Sequence, residues 1–206
     1  SGTLFRGAAG TPGLVPAMRA ALERITQVDG TGNLWDAWVE ASGESEPRLR
    51  LPGSGSDYTV FLHHLGLPII DIALQGSSGG QYHTSFDDFA QVDRNIDPTW
   101  EGHELAGELI AGLLLEFAER GHESFDEAQA ARRMAQVTRS SASWLGEEHS
   151  ARLAMAFEEV AASASKVVRD PFYQRLQAPA GLPGRTWYRN RLWAPGLETG
   201  YASEIF

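Results

Sequence analysis

Leu67-Pro68-Ile69-Ile70-Asp71-Ile72-Ala73-Leu74 is the stretch whose reading decides the fold class of this chain. It is β-branched and nearly continuous in apolar character, which is the pattern of a strand buried on both faces of an α/β sheet. Gln75-Gly76-Ser77-Ser78-Gly79-Gly80 then leaves the strand end as a loop, and Tyr82 and His83 emerge from it. Ligands of open α/β sheets gather at the carboxyl ends of strands, so these two residues stand where chemistry is commonly placed. Just upstream, Pro52-Gly53-Ser54-Gly55-Ser56-Asp57 reads as a tight glycine turn opening an apolar helix over residues 58–65, which stops at Gly66.

Outward from this centre the pattern is helical. Leu14, Met18, Ala21, Leu22 and Ile25 recur at helical spacing and predict a helix over residues 12–25 with one buried face. Leu34-Trp35-Asp36-Ala37-Trp38-Val39 predicts a short amphipathic helix, and the Gly/Ser/Glu/Pro-rich residues 42–52 a loop. From Asp97-Pro98 a long helix runs through Leu105, Leu109, Leu113 and Phe117 to Arg120, with Gly121 as the stop. Residues 125–143 and 147–168 are Ala-rich and helical, joined by Trp144-Leu145-Gly146 as an antiparallel hairpin of the kind that often dimerises. From Asp170 onward the chain reads as irregular and rich in Pro, Gly and aromatic residues.

Composition narrows the function classes. With 206 residues and 42% hydrophobic content, the chain can bury a substantial core without crosslinks. It has no cysteine, which removes disulfides, thiolate metal sites and a cysteine nucleophile. A net charge of -10 and a single lysine, Lys166, argue against nucleic acid as a partner. The longest apolar run, residues 109–115, is broken by Gly112 and flanked by glutamates, too short and too charged to cross a bilayer. The abrupt start Ser1-Gly2-Thr3-Leu4, without initiator methionine or leader pattern, reads as a fragment or processed product.

Six histidines must be sorted before one is taken as a ligand. His63 and His64 fall inside the expected helix and read as surface or capping residues, one of the pair facing solvent. His103, His122 and His149 sit beside glutamates and read as solvated polar residues. No His-Glu-x-x-His pattern occurs. His83 differs, because it follows a glycine loop at a strand end and precedes Asp87 and Asp88, carboxylates able to orient its imidazole. One histidine cannot hold zinc, which needs three or four donors. The serines of residues 53–57 do not form a Gly-x-Ser-x-Gly elbow, and the run lacks the lysine of a phosphate-binding loop.

Read together, the glycine turn of residues 52–61, Leu65-Gly66-Leu67-Pro68, Tyr82-His83-Thr84-Ser85-Phe86-Asp87-Asp88 and Asp97-Pro98 resemble, in order and spacing, the C-terminal half of the peptidase domain of glutamate carboxypeptidase-like zinc peptidases. Residues 170–173 and the end of the chain, Ala194 to Phe206, resemble the close of the helical dimerisation domain in the same transferrin-receptor-like family. The resemblance implies an α/β fold: the C-terminal half of a zinc-peptidase α/β sandwich over residues 1–121, then an α-helical dimerisation domain over residues 122–206. It implies a peptide substrate, a homodimer formed through the C-terminal helices, and two zinc ions in the complete enzyme. His83 would be the one zinc ligand in this chain and Tyr82 a contact to substrate or tetrahedral intermediate. The remaining ligands and the general base would lie in a missing N-terminal peptidase segment, so this chain alone is expected to be inactive. Export or membrane anchoring would depend on that same segment.

Departures from the family pattern bear on specificity. Glutamate-specific members carry asparagine in the glycine turn, two arginines on the following strand and a lysine before the C-terminal tyrosine. Ser56, Asp71, Ala73 and Gly200 occupy those places here. An acidic substrate would lose charge-assisted partners and meet Asp71, so the expectation is a neutral or broader peptide preference, with Gly55, Ser56 and Tyr201 lining the pocket. Two other readings compete: a non-catalytic transferrin-receptor-like protein, and a purely helical interaction module.

Overall fold

The computed structural model describes residues 4–76, 81–164, 175–196 and 203–204. The chain forms two compact units, Ser1–Ala8, Pro16–Arg48 and Ile72–Ser124 in the first and Ala9–Val15, Leu49–Asp71 and Phe125–Phe206 in the second. Strands β1 (Leu4–Gly10) and β2 (Ile70–Gln75) pair as a two-stranded sheet. Together with the helices this is an α/β chain in which helix predominates.

In the first unit, α1 (Val15–Leu22), α2 (Leu34–Ser42) and α4 (Glu101–Arg120) carry the buried residues. Met18, Leu22, Leu34 and Leu109 are fully buried. Helix α2 starts where the Asn33 side chain accepts a hydrogen bond from the Asp36 N–H at 2.8 Å, and stops at Gly43, whose φ of 67° suits a residue without Cβ. Its Trp35 and Trp38 meet edge to face at 5.7 Å, and Phe5 of β1 meets Trp38 in the same manner at 5.8 Å. Gly7 has a φ of 123°, and a Cβ there would lie 2.6 Å from Trp38 Nε1. Helix α4 buries Leu105, Leu109 and Leu113 at the spacing read in the sequence, together with Gly102, but the stripe ends on Glu116, and Phe117 is half-buried. Glu116 is fully buried at the end of that stripe, and its two carboxylate oxygens meet Arg24 at 3.0 Å and Arg120 at 3.1 Å.

In the second unit, α5 (Glu127–Ser140), the short α6 (Ala142–Leu145) and α7 (Glu147–Ser163) form the expected helical hairpin. Alanines at the contact let the axes approach: Ala130, Ala131, Met134 and Val137 of α5 share one buried cluster with Ala161 of α7. Leu62, Ile69, Leu192 and Trp193 complete that cluster. The Ser150 hydroxyl donates to the Thr138 carbonyl at 2.7 Å and Arg139 pairs with Glu158, fixing the hairpin at its turn end. Residues 175–193 fold back on themselves through the antiparallel bridges Gln177–Asn190 and Leu182–Arg185 and lead to β3 (Ala194–Pro195), which pairs antiparallel with β4 (Ser203–Glu204).

Two local expectations change, and one strand has no counterpart in the sequence reading. Residues 58–65 do wind, but over Val60–His64 as a π-helical turn, with the Leu65 N–H on the Val60 carbonyl at 3.1 Å. β1 carries no apolar alternation that marks it as a strand. β2 is not buried on both faces: Ile70–Gln75 are half-buried to exposed. In a two-stranded sheet the β-branched run has little to pack against, and its apolar continuity does not report its surroundings.

Gly7→Ala is expected to destabilise the fold by about 1–3 kcal/mol, because Cβ meets Trp38 and a left-handed φ is imposed on alanine. Gly107, exposed within α4 with nothing near its Cβ position, gives the opposite sign. Gly107→Ala is expected to stabilise by about 0.5–1 kcal/mol. Urea denaturation of both variants checks the pair.

Candidate functional site

Tyr82 and His83 sit in the first unit on a turn between β2 and the short helix α3 (Phe89–Gln91). Their rings stack at 3.7 Å between centroids with an interplanar angle of 23°. His83 has a φ of 62°, a left-handed conformation uncommon for a residue other than glycine, though histidine is among the side chains that tolerate it best. Local hydrogen bonds hold the turn: the His83 N–H donates to Asp87 Oδ2 at 3.3 Å, and the Thr84 hydroxyl donates to the Gln81 carbonyl at 2.7 Å. Such outliers collect at functional sites, where surrounding contacts sustain the strain.

The carboxylates expected to orient the His83 imidazole are engaged elsewhere. Asp87 binds the His83 backbone rather than its ring, and Asp88 caps α3 by accepting from the Gln91 N–H at 2.9 Å. Tyr82 and His83 are both exposed, so the ring nitrogens of His83 are open to donors or ligands from outside. No group of three or more His, Asp or Glu among the described residues is arranged to hold a metal ion. His83 by itself therefore does not make a zinc site, and the residues present do not fit a complete one.

The glycine turn lies in the second unit. Gly55 and Ser56 are exposed at its tip, and the turn is tied to the chain that follows by Thr59, whose hydroxyl donates to the Ser54 carbonyl at 2.8 Å and whose N–H donates to the Ser56 carbonyl at 3.0 Å. Tyr58 packs against the buried cluster. Burial pushes its phenol pKa up, and the nearby Asp71 carboxylate pushes it further, against the Gly53 backbone N–H. Asp71 thus lies close enough to Tyr58 for its charge to act on the phenol. Tyr201 and Gly200, like residues 170–173, lie outside the described residues.

Two histidines differ from their sequence reading. His63, read as a surface or capping residue, is fully buried, because the π winding turns it inward beside Leu62. His103, read as simply solvated, is paired. Its Nδ1 lies 2.6 Å from Oδ2 of Asp97, a buried carboxylate that also accepts from the backbone N–H groups of Gly102 at 3.2 Å and His103 at 2.9 Å. Asp97 thereby satisfies the first turn of α4. Burial alone would raise its pKa, but the hydrogen bonds from the His103 ring and the two backbone N–H groups, with the charge of His103, hold it below the usual carboxylate range. The sequence signal was Asp-Pro just before a helix with histidine six residues after the Asp.

A native pKa below the unfolded value stabilises the fold at pH above about 4, and this contribution is lost as pH falls through the native value. Asp97→Ala is expected to lose about 1–3 kcal/mol at neutral pH. The deficit should shrink toward pH 3 in urea denaturation, and a deficit equal at both pH values would contradict the assignment.

No family model matches the chain. Among curated proteins it is 30% identical over 120 residues to the probable glutamate carboxypeptidase LAMP1 of Arabidopsis thaliana, covering 58% of this chain and 17% of that protein. It is 28% identical over 126 residues to aminopeptidase NAALADL1 of Rattus norvegicus, covering 54% and 17%. Against a probable glutamate carboxypeptidase of Arthroderma benhamiae it is 26% identical over 205 residues, covering 84% and 28%. The chain spans less than a third of the length of these relatives. By sequence, the chain is a distant relative of the glutamate carboxypeptidase-like proteins, a group named for carboxypeptidases and aminopeptidases.

Proposed function

We propose that this chain is the C-terminal part of a zinc-dependent exopeptidase, and that it contributes one corner of the active site through Tyr82 and His83. The observation that carries the reading is the stacked Tyr82–His83 pair on a strained, hydrogen-bonded turn, in a sequence related to named peptidases. Asp87 and Asp88 bind backbone N–H groups, so neither occupies the His83 ring, and a ring nitrogen is available to a metal completed by other residues. Tyr82 offers a phenol beside it, able to donate a hydrogen bond to a carbonyl oxygen as negative charge develops there. The other ligands and the general base belong to sequence beyond this chain, since three or more donors are required and His83 supplies one.

Gly55 and Ser56, exposed on the glycine turn, and Tyr201 are the proposed contacts to the peptide. Asp71, close to Tyr58, disfavours an acidic side chain, so the preferred substrates are neutral or of broad character. The α5–α7 hairpin, with Trp144 and Met155 largely exposed, is the proposed homodimer element.

In the intact protein, His83→Ala is expected to lower bound zinc by about one equivalent and peptidase activity by roughly a hundredfold or more. Metal analysis and aminopeptidase and carboxypeptidase assays on neutral and acidic peptides check this. Undiminished zinc and activity in the variant refute the ligand assignment, and a zinc-free wild type favours the non-catalytic, transferrin-receptor-like reading. Light scattering tests the dimer: the expected mass is that of two chains, and a monomer rejects the helical interface.

A further inference from the structure

The π-helical turn Val60–His64 stands between two stretches of the second unit, the glycine turn that precedes it and the irregular chain that ends at Trp193. The ring of His63 bridges them, with Nε2 2.9 Å from the Gly53 carbonyl oxygen and Nδ1 3.1 Å from the Trp193 carbonyl oxygen. A carbonyl only accepts, so each contact is a hydrogen bond only if that ring nitrogen carries a proton, and the imidazolium alone carries both. A neutral ring turns a lone pair toward one of the two oxygens, and that contact becomes repulsive.

The groups around the ring do not neutralise it. Tyr188 meets it edge-on at 6.4 Å between centroids. His64 is itself turned away, its Nδ1 2.9 Å from the Trp187 carbonyl and its ring 4.8 Å from Tyr188. On the turn side stand Tyr58 and, acting on it, Asp71. On the C-terminal side, Arg189 and Asn190 donate backbone N–H groups to the His63 carbonyl at 2.9 and 3.3 Å. No carboxylate among the described residues forms an ion pair with His63. A buried imidazolium held by carbonyls alone carries a desolvation cost that opposes the bond gained from its second proton. The two ends are also held unequally. Trp193 is independently anchored, its N–H donating to Asn190 Oδ1 at 3.2 Å, whereas the start of the glycine turn has the His63 bridge and the Tyr58 contact.

We infer that His63 is a positioning residue whose doubly protonated ring seats the glycine turn against Trp193, and that losing one proton releases one of these anchors. The consequence for substrate rests on the proposed reading of Gly55 and Ser56 as peptide contacts, because the turn that moves is the one that carries them.

Imidazole nitrogen NMR of the intact, histidine-labelled protein reads the clamp directly, with His63→Gln identifying the His63 signals. Two protonated nitrogens are expected near pH 5 and one near pH 9, a span within which histidine can change charge. Over the same span, hydrogen exchange at the Thr59 amide, which is bonded to the Ser56 carbonyl of the turn, should quicken about tenfold after correction for its intrinsic pH dependence. In His63→Gln, which keeps a donor but cannot titrate, that ratio should stay flat. A single protonated nitrogen at every pH, or the same acceleration in His63→Gln, overturns the inference. With peptide substrate, KM should rise about tenfold across the span in wild type and not in His63→Gln. If the clamp titrates as expected while KM stays constant, the reading of Gly55 and Ser56 as substrate contacts fails and the proton-dependent clamp stands.

Discussion

An irregular segment must satisfy its backbone somewhere, and in the second unit this constraint is met partly within the segment and partly at the end of the turn Val60–His64. Residues 175–193 pair part of their own backbone, the Ala178 N–H on the Arg189 carbonyl at 2.7 Å and the Arg191 N–H on the Leu176 carbonyl at 2.9 Å, and take the rest of their partners from the end of that turn. The His63 carbonyl accepts from Arg189 and Asn190, the Leu62 carbonyl accepts the Asn190 amide at 2.9 Å, and the Leu65 carbonyl accepts Gln177 Nε2 at 2.7 Å. Asn190 Oδ1 in turn takes the N–H groups of Leu192 and Trp193. The carbonyls of Leu62, His63 and Leu65 are the last of a short helical turn, which have no partner within it, so its end becomes the acceptor for a distant stretch. The aromatic and aliphatic cluster around Leu62, Met134, Leu192 and Trp193 depends on this stitching, because apolar burial alone does not fix where an irregular chain runs.

The first unit solves a different problem, the placement of charge at the ends of a buried helical stripe. Helix α4 has Asp97 before its first turn and Glu116 in its last, and both carboxylates are buried. Asp97 is met by two backbone N–H groups and the His103 ring, and Glu116 by two arginines. Neither pairing is cheap to form, and removing one partner costs more than the pair contributes, since the remaining charge stays buried. These contacts fix the register of α4, the helix that follows the Tyr82–His83 turn in sequence.

Much of the helical framework was legible in the sequence, and for identifiable reasons. α4 and the α5–α7 hairpin are long, strongly periodic and bounded by Gly121 and Gly146, so propensity, pattern and stop signals agree. The caps Asn33 and Asp126 were not read from the sequence, although each acts on backbone three residues away. β1 was not legible, because Leu4–Gly10 is defined by its neighbour β2 and not by alternation. The exposure of β2 was misread for the same cause: an apolar run states what a strand could bury, not what covers it.

For the candidate site, residue order in the sequence singled out Tyr82, His83 and the glycine turn, because glycines at a strand end and before a helix are local devices that need no partner to be recognised. Only the tertiary structure decided their conformations and contacts: the left-handed His83, its stack on Tyr82, Asp87 bound to backbone instead of imidazole, and the burial of His63 between two carbonyls separated from it by 10 and 130 residues. Local patterns fix which segments wind and where they stop. Protonation, pairing and burial of a side chain are set by groups distant in sequence, and the chain has to fold before those groups meet.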